Sequence, residues 1–436
     1  MSYENFAPET LMMGYGYKPE LSEGAIKCPV FQTSTFVFKT AEEGKAFFEM
    51  AHGMPGHEGE KMGLIYSRIN NPGMEILEER LKLWDGGEAA AVFSSGMSAI
   101  ATSLISFLKP GDILLFSNPI YGGTHKFIHY MLDNWGVKAI GFNAGDSKEN
   151  IIELIEKNRA GDKLKMIYVE TPANPTNDLI DIEMCSEIAK VYSTADKKIL
   201  LSVDNTYMGP LWQHPLKHGA DIVLYSATKY IGGHSDLIAG AAVGSKEIIK
   251  QIKKSRTFFG TMMDPHTSWL LMRSLETMKI RMEAAAFNAE KVAGYLLQHP
   301  KVEKVYYLGF TAINNPGQKE ILKKQYLSNG AMVSFDVKGG EKEAFVMLNN
   351  LKHIKLAVSL GGTESLVEHP YSMTHADVAA EEKNRLGLTQ KMIRLSVGIE
   401  NYKDIIWDLG QALDKIPVQL DTAKQQVTIL PILSWP

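Results

Sequence analysis

Three charged residues stand in apolar settings where a charge needs a reason. Lys229 follows "DIVLY" in the stretch "SATKYIGGHSD", Asp204 ends "ILLSV", and Arg394 lies within "MIRLSVGIE". A lysine in such a place is either a solvated charge at a strand end or an amine held in a partly dry pocket. In the pocket its pKa falls and it becomes a nucleophile for carbonyls. A buried carboxylate needs a cationic partner or must neutralise, so Asp204 suits a protonated ring nitrogen. Its plainer reading is a turn or a helix cap. An arginine inside a strand must also pair. Its fork fits a ligand carboxylate, and the alternative is an acid of the same chain.

The residues around these three are small, hydroxylic or aromatic. Gly96 and Met97 open a helix directly after the strand "AAAVF", where free amides favour an anion. Ser226 and Thr228 flank the path to Lys229 and are suited to phosphate, and "GG" lets a backbone approach a ligand closely. Tyr121 follows a strand in "NPIYGGT"; it is either core or a surface on which a flat ring stacks. Tyr66 and Arg68 in "YSRINNP" form a second candidate for phosphate, in their own subunit or a neighbour's. A reactive lysine, an anion site, an aspartate for a ring nitrogen and a stacking tyrosine together point to pyridoxal phosphate held as a Schiff base.

These residues need a scaffold that brings them together. From Met74 onward, continuous apolar strands alternate with helices, which indicates a parallel sheet covered on both faces. The expected strands are "AAAVF", "DILLFSNPIY", "KMIYVE", "KILLSVD" and "ADIVLYSATK". In open parallel sheets ligands bind beyond the carboxyl ends of the strands, where the polar residues lie. Residues 1–65 are expected to form an arm with a β-prone "PVFQTSTFVF", a helix from about Ala41 to Ala51 and an exposed loop from His52 to Gly63. Residues 66–280 are expected to form the large ligand-binding domain, with one long helix beginning near Thr267. Residues 281–436 are expected to form a smaller α+β domain, with the apolar "TILPILSWP" as a docked tail.

The chain has 436 residues, enough for two domains, with a net charge of −4 and no basic face or tail. Nucleic acid and membrane surface are therefore not expected partners. Cys28 and Cys185 are too few for a disulfide framework and lack metal-ligand spacing, so no metal and a cytoplasmic setting are expected.

The stretches "YSRINNP", "SSGMSAI", "YGGT", "ETPANPT", "VDNTY", "SATKYIGGHSD", "SLGGTESL" and "IRLSVGIE" run in that order from residue 66 to 400. With them the chain resembles the cysteine/methionine metabolism enzymes that use pyridoxal phosphate. These include cystathionine γ-synthases, cystathionine γ-lyases, methionine γ-lyases and O-acylhomoserine sulfhydrylases. The resemblance implies the type I, aspartate aminotransferase-like α/β fold, with a mostly parallel central sheet and a smaller C-terminal α+β domain. It implies catalytic roles for Lys229, Tyr121 and Asp204, with Lys229 as the Schiff-base lysine and Tyr121 on the ring. It implies a phosphate cradle of Gly96, Met97, Ser226 and Thr228, with Tyr66 and Arg68 reaching across a dimer interface and Glu170 nearby. Arg394 becomes the substrate carboxylate clamp, helped by Ser359, Asn174 and Glu364. A small amino acid is then the substrate, and a homodimer or homotetramer the assembly.

The resemblance implies γ-elimination or γ-replacement on a homoserine-type amino acid such as methionine or cystathionine. Canavanine γ-lyase, O-acylhomoserine sulfhydrylase and cystathionine β-lyase remain alternatives, as does a non-catalytic phosphate-ligand binder. Gly123 stands where methionine γ-lyases often carry cysteine, and "SLGGTES" is closer to the cystathionine enzymes. Lys126 stands near an arginine position of those enzymes. It is expected either to read a distal anionic group or to face solvent.

Overall fold

The computed structural model describes residues 6–417 apart from Glu58 and Asp377; the expected docked tail lies outside them. A seven-stranded sheet comprises β1 (Ala89–Phe93), β2 (Ile113–Asn118), β3 (Lys138–Asn143), β4 (Leu164–Glu170), β5 (Leu200–Asp204), β6 (Ile222–Tyr225) and β7 (Gly240–Gly244). Its order is β1-β7-β6-β5-β4-β2-β3. β7 runs antiparallel to both neighbours, while β6, β5, β4, β2 and β3 are mutually parallel. Two reversals around β7 restore the direction, so β1 ends on the same edge as β2, β4, β5 and β6. That shared edge gathers the polar strand ends.

Every residue of β2, β5 and β6 is buried. Helices cover both faces, as continuous apolar strands require. One layer packs Ile100, Leu104, Ile249 and Ile252 against the sheet; another packs Ile151, Ile155, Cys185 and Ile188 on the opposite side.

A second, five-stranded sheet comprises β8 (Val302–Tyr306), β9 (Met332–Val337), β10 (Lys355–Leu356), β11 (Leu366–Glu368) and β12 (Met392–Ser396), in the order β10-β11-β12-β9-β8. Its β12 pairs antiparallel with β11 and β9, which sets Arg394 directly opposite Glu368.

Two local expectations change. The single long helix is two, Pro265–Leu275 and Met278–Gln298. The break falls at Glu276–Thr277, and Thr277 Oγ1 accepts from Arg281 Nε at 3.2 Å. The β-prone "PVFQTSTFVF" forms no strand; Thr35 makes an isolated bridge to Tyr66, because that stretch of the arm is joined to no sheet. Among the described residues, no helix is long and apolar enough to cross a membrane.

Candidate active site

At the shared strand edge lies a cavity of about 300 Å³. Ten of the expected residues line it: Gly96, Met97, Tyr121, Glu170, Asn174, Asp204, Ser226, Lys229, Ser359 and Arg394. Each is placed by a local rule of folding. Gly96 begins the helix Gly96–Phe107, whose N-cap Ser95 accepts from Ser98 N at 3.0 Å and leaves the first amides for an anion. A Cβ at Gly96 would stand 2.7 Å from Ser226 Cβ, so only glycine permits this approach of β1's end to β6's end. The Ser226 amide donates to Thr206 Oγ1 at 2.7 Å, tying the ends of β5 and β6.

Asp204 closes β5 and Glu170 closes β4, directly opposite in the register. Asp204 is 5% exposed. Its Oδ2 accepts from Tyr168 Oη at 3.1 Å and its Oδ1 from the Thr206 amide at 3.0 Å. Burial pushes its carboxyl up, and these two donors pull it back. Glu170 Oε2 accepts from the Tyr121 amide at 2.6 Å. Burial raises Glu170 first, and the facing Asp204 raises it further. Two buried carboxyls side by side, with neutral donors on Asp204, form a site that favours an incoming positive charge.

Lys229 reaches across to the second sheet's unit, where its Nζ donates to Ser359 Oγ at 2.8 Å. Burial first and the charge of Arg394 second lower its pKa to about 8, against the pull of Glu368. Ser359 holds φ +121°, a strained conformation for a side-chain-bearing residue. The strain coincides with a double task, because its carbonyl accepts from Arg394 Nη2 at 2.9 Å. Arg394 Nη1 donates to Asn174 Oδ1 at 3.1 Å and pairs with Glu368 Oε1 at 2.7 Å. The in-chain acid considered as the alternative for Arg394 therefore exists, and the arginine still lines the cavity.

Tyr121 is 46% exposed at the cavity mouth. A Cβ at Gly123 would lie 2.6 Å from its ring, so the glycine makes room for this ring position. Met97, Ile100, Ile238, Val358 and Leu360 supply apolar walls.

Five expected residues lie outside this lining. Thr228 Oγ1 is engaged with Ala239, accepting from its amide at 3.0 Å. Glu364 accepts from the hydroxyls of Ser235 and Thr363. Lys126 lines a separate groove of about 1030 Å³, between the helix Gly122–Lys126 and residues 378–385. Tyr66 is exposed, and Arg68 Nη1 donates to the Thr257 carbonyl at 2.9 Å. Sequence reasoning missed Thr206, Tyr207 and Thr374 in the lining, and Glu368 behind Arg394. Thr206 and Tyr207 stood in the "VDNTY" motif already in view. Glu368 carried the same signal as Arg394, a charge in an apolar strand.

The chemistry of this donor set fits pyridoxal phosphate. It offers amides and hydroxyls for a phosphate, a buried anion for a ring nitrogen, a ring at the mouth and an amine of lowered pKa. The comparisons agree. An L-methionine gamma-lyase of Fusobacterium nucleatum subsp. polymorphum is 41% identical over 395 residues, which cover 90% of this chain and 94% of the relative. A cystathionine gamma-lyase of Bacillus subtilis (strain 168) is 39% identical over 409 residues, 94% of this chain and 99% of the relative. The crystal structure of cystathionine gamma synthase from Xanthomonas oryzae pv. oryzae, in complex with aminoacrylate and cysteine, superposes with a TM-score of 0.82 at 31% identity. It covers 94% of this chain and 98% of that one. Residues 9–414 match the pattern of one family, and with that match the chain belongs to the Cys/Met metabolism PLP-dependent enzymes.

Proposed function

We propose that the protein catalyses γ-elimination or γ-replacement on an L-homoserine-type amino acid, with an uncharged thioether such as methionine as the preferred substrate. One observation carries the reading. Ser359 accepts from Lys229 through its hydroxyl and from Arg394 through its carbonyl, so an amine that moves protons and a guanidinium that binds a carboxylate meet on one residue.

In this reading Asp204 would hold the ring nitrogen, Tyr121 the ring face and Lys229 the aldehyde. Gly96, Met97, Ser226 and Thr206 would hold the phosphate. Bound there, pyridoxal phosphate supplies a sink for the electrons left at the substrate's α-carbon. Arg394 binds the substrate carboxylate and so aims the α-hydrogen at Lys229. Lys229 Nζ then takes that proton; with a pKa of about 8 it can both accept and return protons near neutrality. The apolar walls keep water from the carbon chain while it rearranges.

The same walls favour a neutral distal group. Lys126 lines the neighbouring groove instead, so a distal carboxylate does not meet it in the cavity lining of its own subunit. A distal guanidinium, as in canavanine, would meet isoleucine, valine and leucine. The names of the two relatives support elimination at the γ-carbon. Tyr66 and Arg68 fit the role of a pair lent to a second copy, which makes a dimer the smallest active unit in this reading.

A substrate panel tests the proposal. Methionine should give 2-oxobutanoate, ammonia and methanethiol, at a kcat/KM above those for cystathionine, O-succinylhomoserine and canavanine. Pyruvate from cystathionine would transfer the reaction to the β-carbon. Turnover confined to canavanine would overturn the thioether preference.

A further inference from the structure

Arg394 presents one particular edge to the cavity, and its partners decide which. A guanidinium carries five N–H donors: one on Nε and two on each terminal nitrogen. Asn174 takes one donor of Nη1, the Glu368 carboxylate pairs with the same nitrogen as an ion pair at 2.7 Å, and the Ser359 carbonyl takes one donor of Nη2. With Nη1 so covered, what remains is the second Nη2 donor and Nε–H, which is buried and has no hydrogen-bond partner. A carboxylate accepts a fork of two parallel N–H groups, and this pair supplies one.

We propose that Glu368 is a positioning residue for substrate carboxylate binding: by holding Nη1 of Arg394 it fixes which edge of the guanidinium is offered. The inference rests on the reading of Arg394 as the carboxylate clamp. Glu368 suits the task by its place. It faces Arg394 directly across β11 and β12, where opposed side chains share one face of the sheet. Its side chain is 0% exposed and that of Arg394 4%, so no solvent competes for the contact. Its Oε1 also accepts from Thr374 Oγ1 at 3.2 Å, and Thr374 lines the cavity. The carboxylate is thus anchored from the wall it supports. Its charge also offsets that of Arg394, so the buried arm of the clamp is not an isolated cation.

The test is steady-state kinetics of the pyridoxal phosphate-loaded enzyme with methionine, on Glu368→Ala, Glu368→Gln and Glu368→Asp. Removing the contact leaves Nη1 held by Asn174 alone and should raise KM about tenfold or more, with kcat changed less. Glu368→Gln keeps an acceptor oxygen at the same reach and should return KM to within about threefold of the native value. A merely structural role would lower stability without this split or this rescue. Glu368→Asp keeps the charge but withdraws it by one methylene; it should raise KM even where Glu368→Ala does not fold. Native KM in both Glu368→Ala and Glu368→Asp would overturn the inference, as would Glu368→Gln failing as badly as Glu368→Ala. Arg394→Ala separates the two claims. Native KM in that variant removes the clamp itself, whereas a raised KM there with native KM in the Glu368 variants removes only the role of Glu368.

Discussion

The floor of the cavity and the Tyr66–Arg68 pair outside its lining are built on opposite terms. On the floor, Asp204, Glu170 and Arg394 are each buried and tied to other elements. Outside the lining, Tyr66 and Arg68 are exposed, and Arg68 leans on one backbone carbonyl. Chain packing positions the floor. The pair has side chains capable of phosphate binding but lines no part of this cavity. A groove wall holds Lys126 in a third situation, near the cavity without lining it. In the proposed arrangement, burial with partners marks what one subunit completes alone, while the exposed pair is what a second copy would use.

Changes on the floor should therefore cost most. Asp204→Ala removes the only acid placed to meet a ring nitrogen in the proposed arrangement and leaves Tyr168 Oη without its acceptor. Turnover should fall by about a thousandfold or more, and the cofactor should be lost on dialysis. Native turnover with native cofactor content would show that the floor does not bind the ring as argued.

A change in the exposed pair should cost less and be repairable in trans. In the proposed arrangement Arg68→Ala loses one charge-assisted phosphate contact and should weaken cofactor retention about tenfold to a hundredfold. Mixing Arg68→Ala with Lys229→Ala subunits should restore part of the activity, because one hybrid site would hold both intact residues. Proven subunit exchange with no recovery would place Arg68 in the service of its own subunit, and the contrast between the floor and the exposed pair would lose its basis.

Lys126→Ala should cost least. Methionine KM should stay within about twofold, since the side chain lines the adjacent groove. A selective rise in KM for O-succinylhomoserine would bring that groove into the substrate path and extend the site beyond its present lining.

The floor was legible in the sequence because its residues end continuous apolar strands, and a polar residue there has few fates. Lys229 and Asp204 could be read from that context before any resemblance, while the resemblance brought in Glu170. Four of the five mutually parallel strands were legible for the same reason; β3, at the sheet edge and only partly buried, was not. β7, "GAAVG", was not, because glycine and alanine carry no strand preference, and its pairing with β1 joins residues far apart in the chain. Glu368 escaped for a related reason. Its meaning lies in its cross-strand neighbour Arg394, and register between distant strands is set by packing. The split between Pro265–Leu275 and Met278–Gln298 was hidden by apolar spacing that continues through the break.

The most direct test of the whole account is chemical capture on the native protein. Lys229 is the amine whose pKa burial and Arg394 lower to about 8, whereas an ordinary lysine stays near 10.5. The unprotonated amine is the nucleophile, so Lys229 should react with an aldehyde from about pH 8 upward while other lysines remain protonated. Incubation with pyridoxal phosphate at pH 8 followed by borohydride should leave one phosphopyridoxyl group per chain, on the peptide containing Lys229. Protein that stays colourless after incubation, or a label on another lysine, would contradict the account.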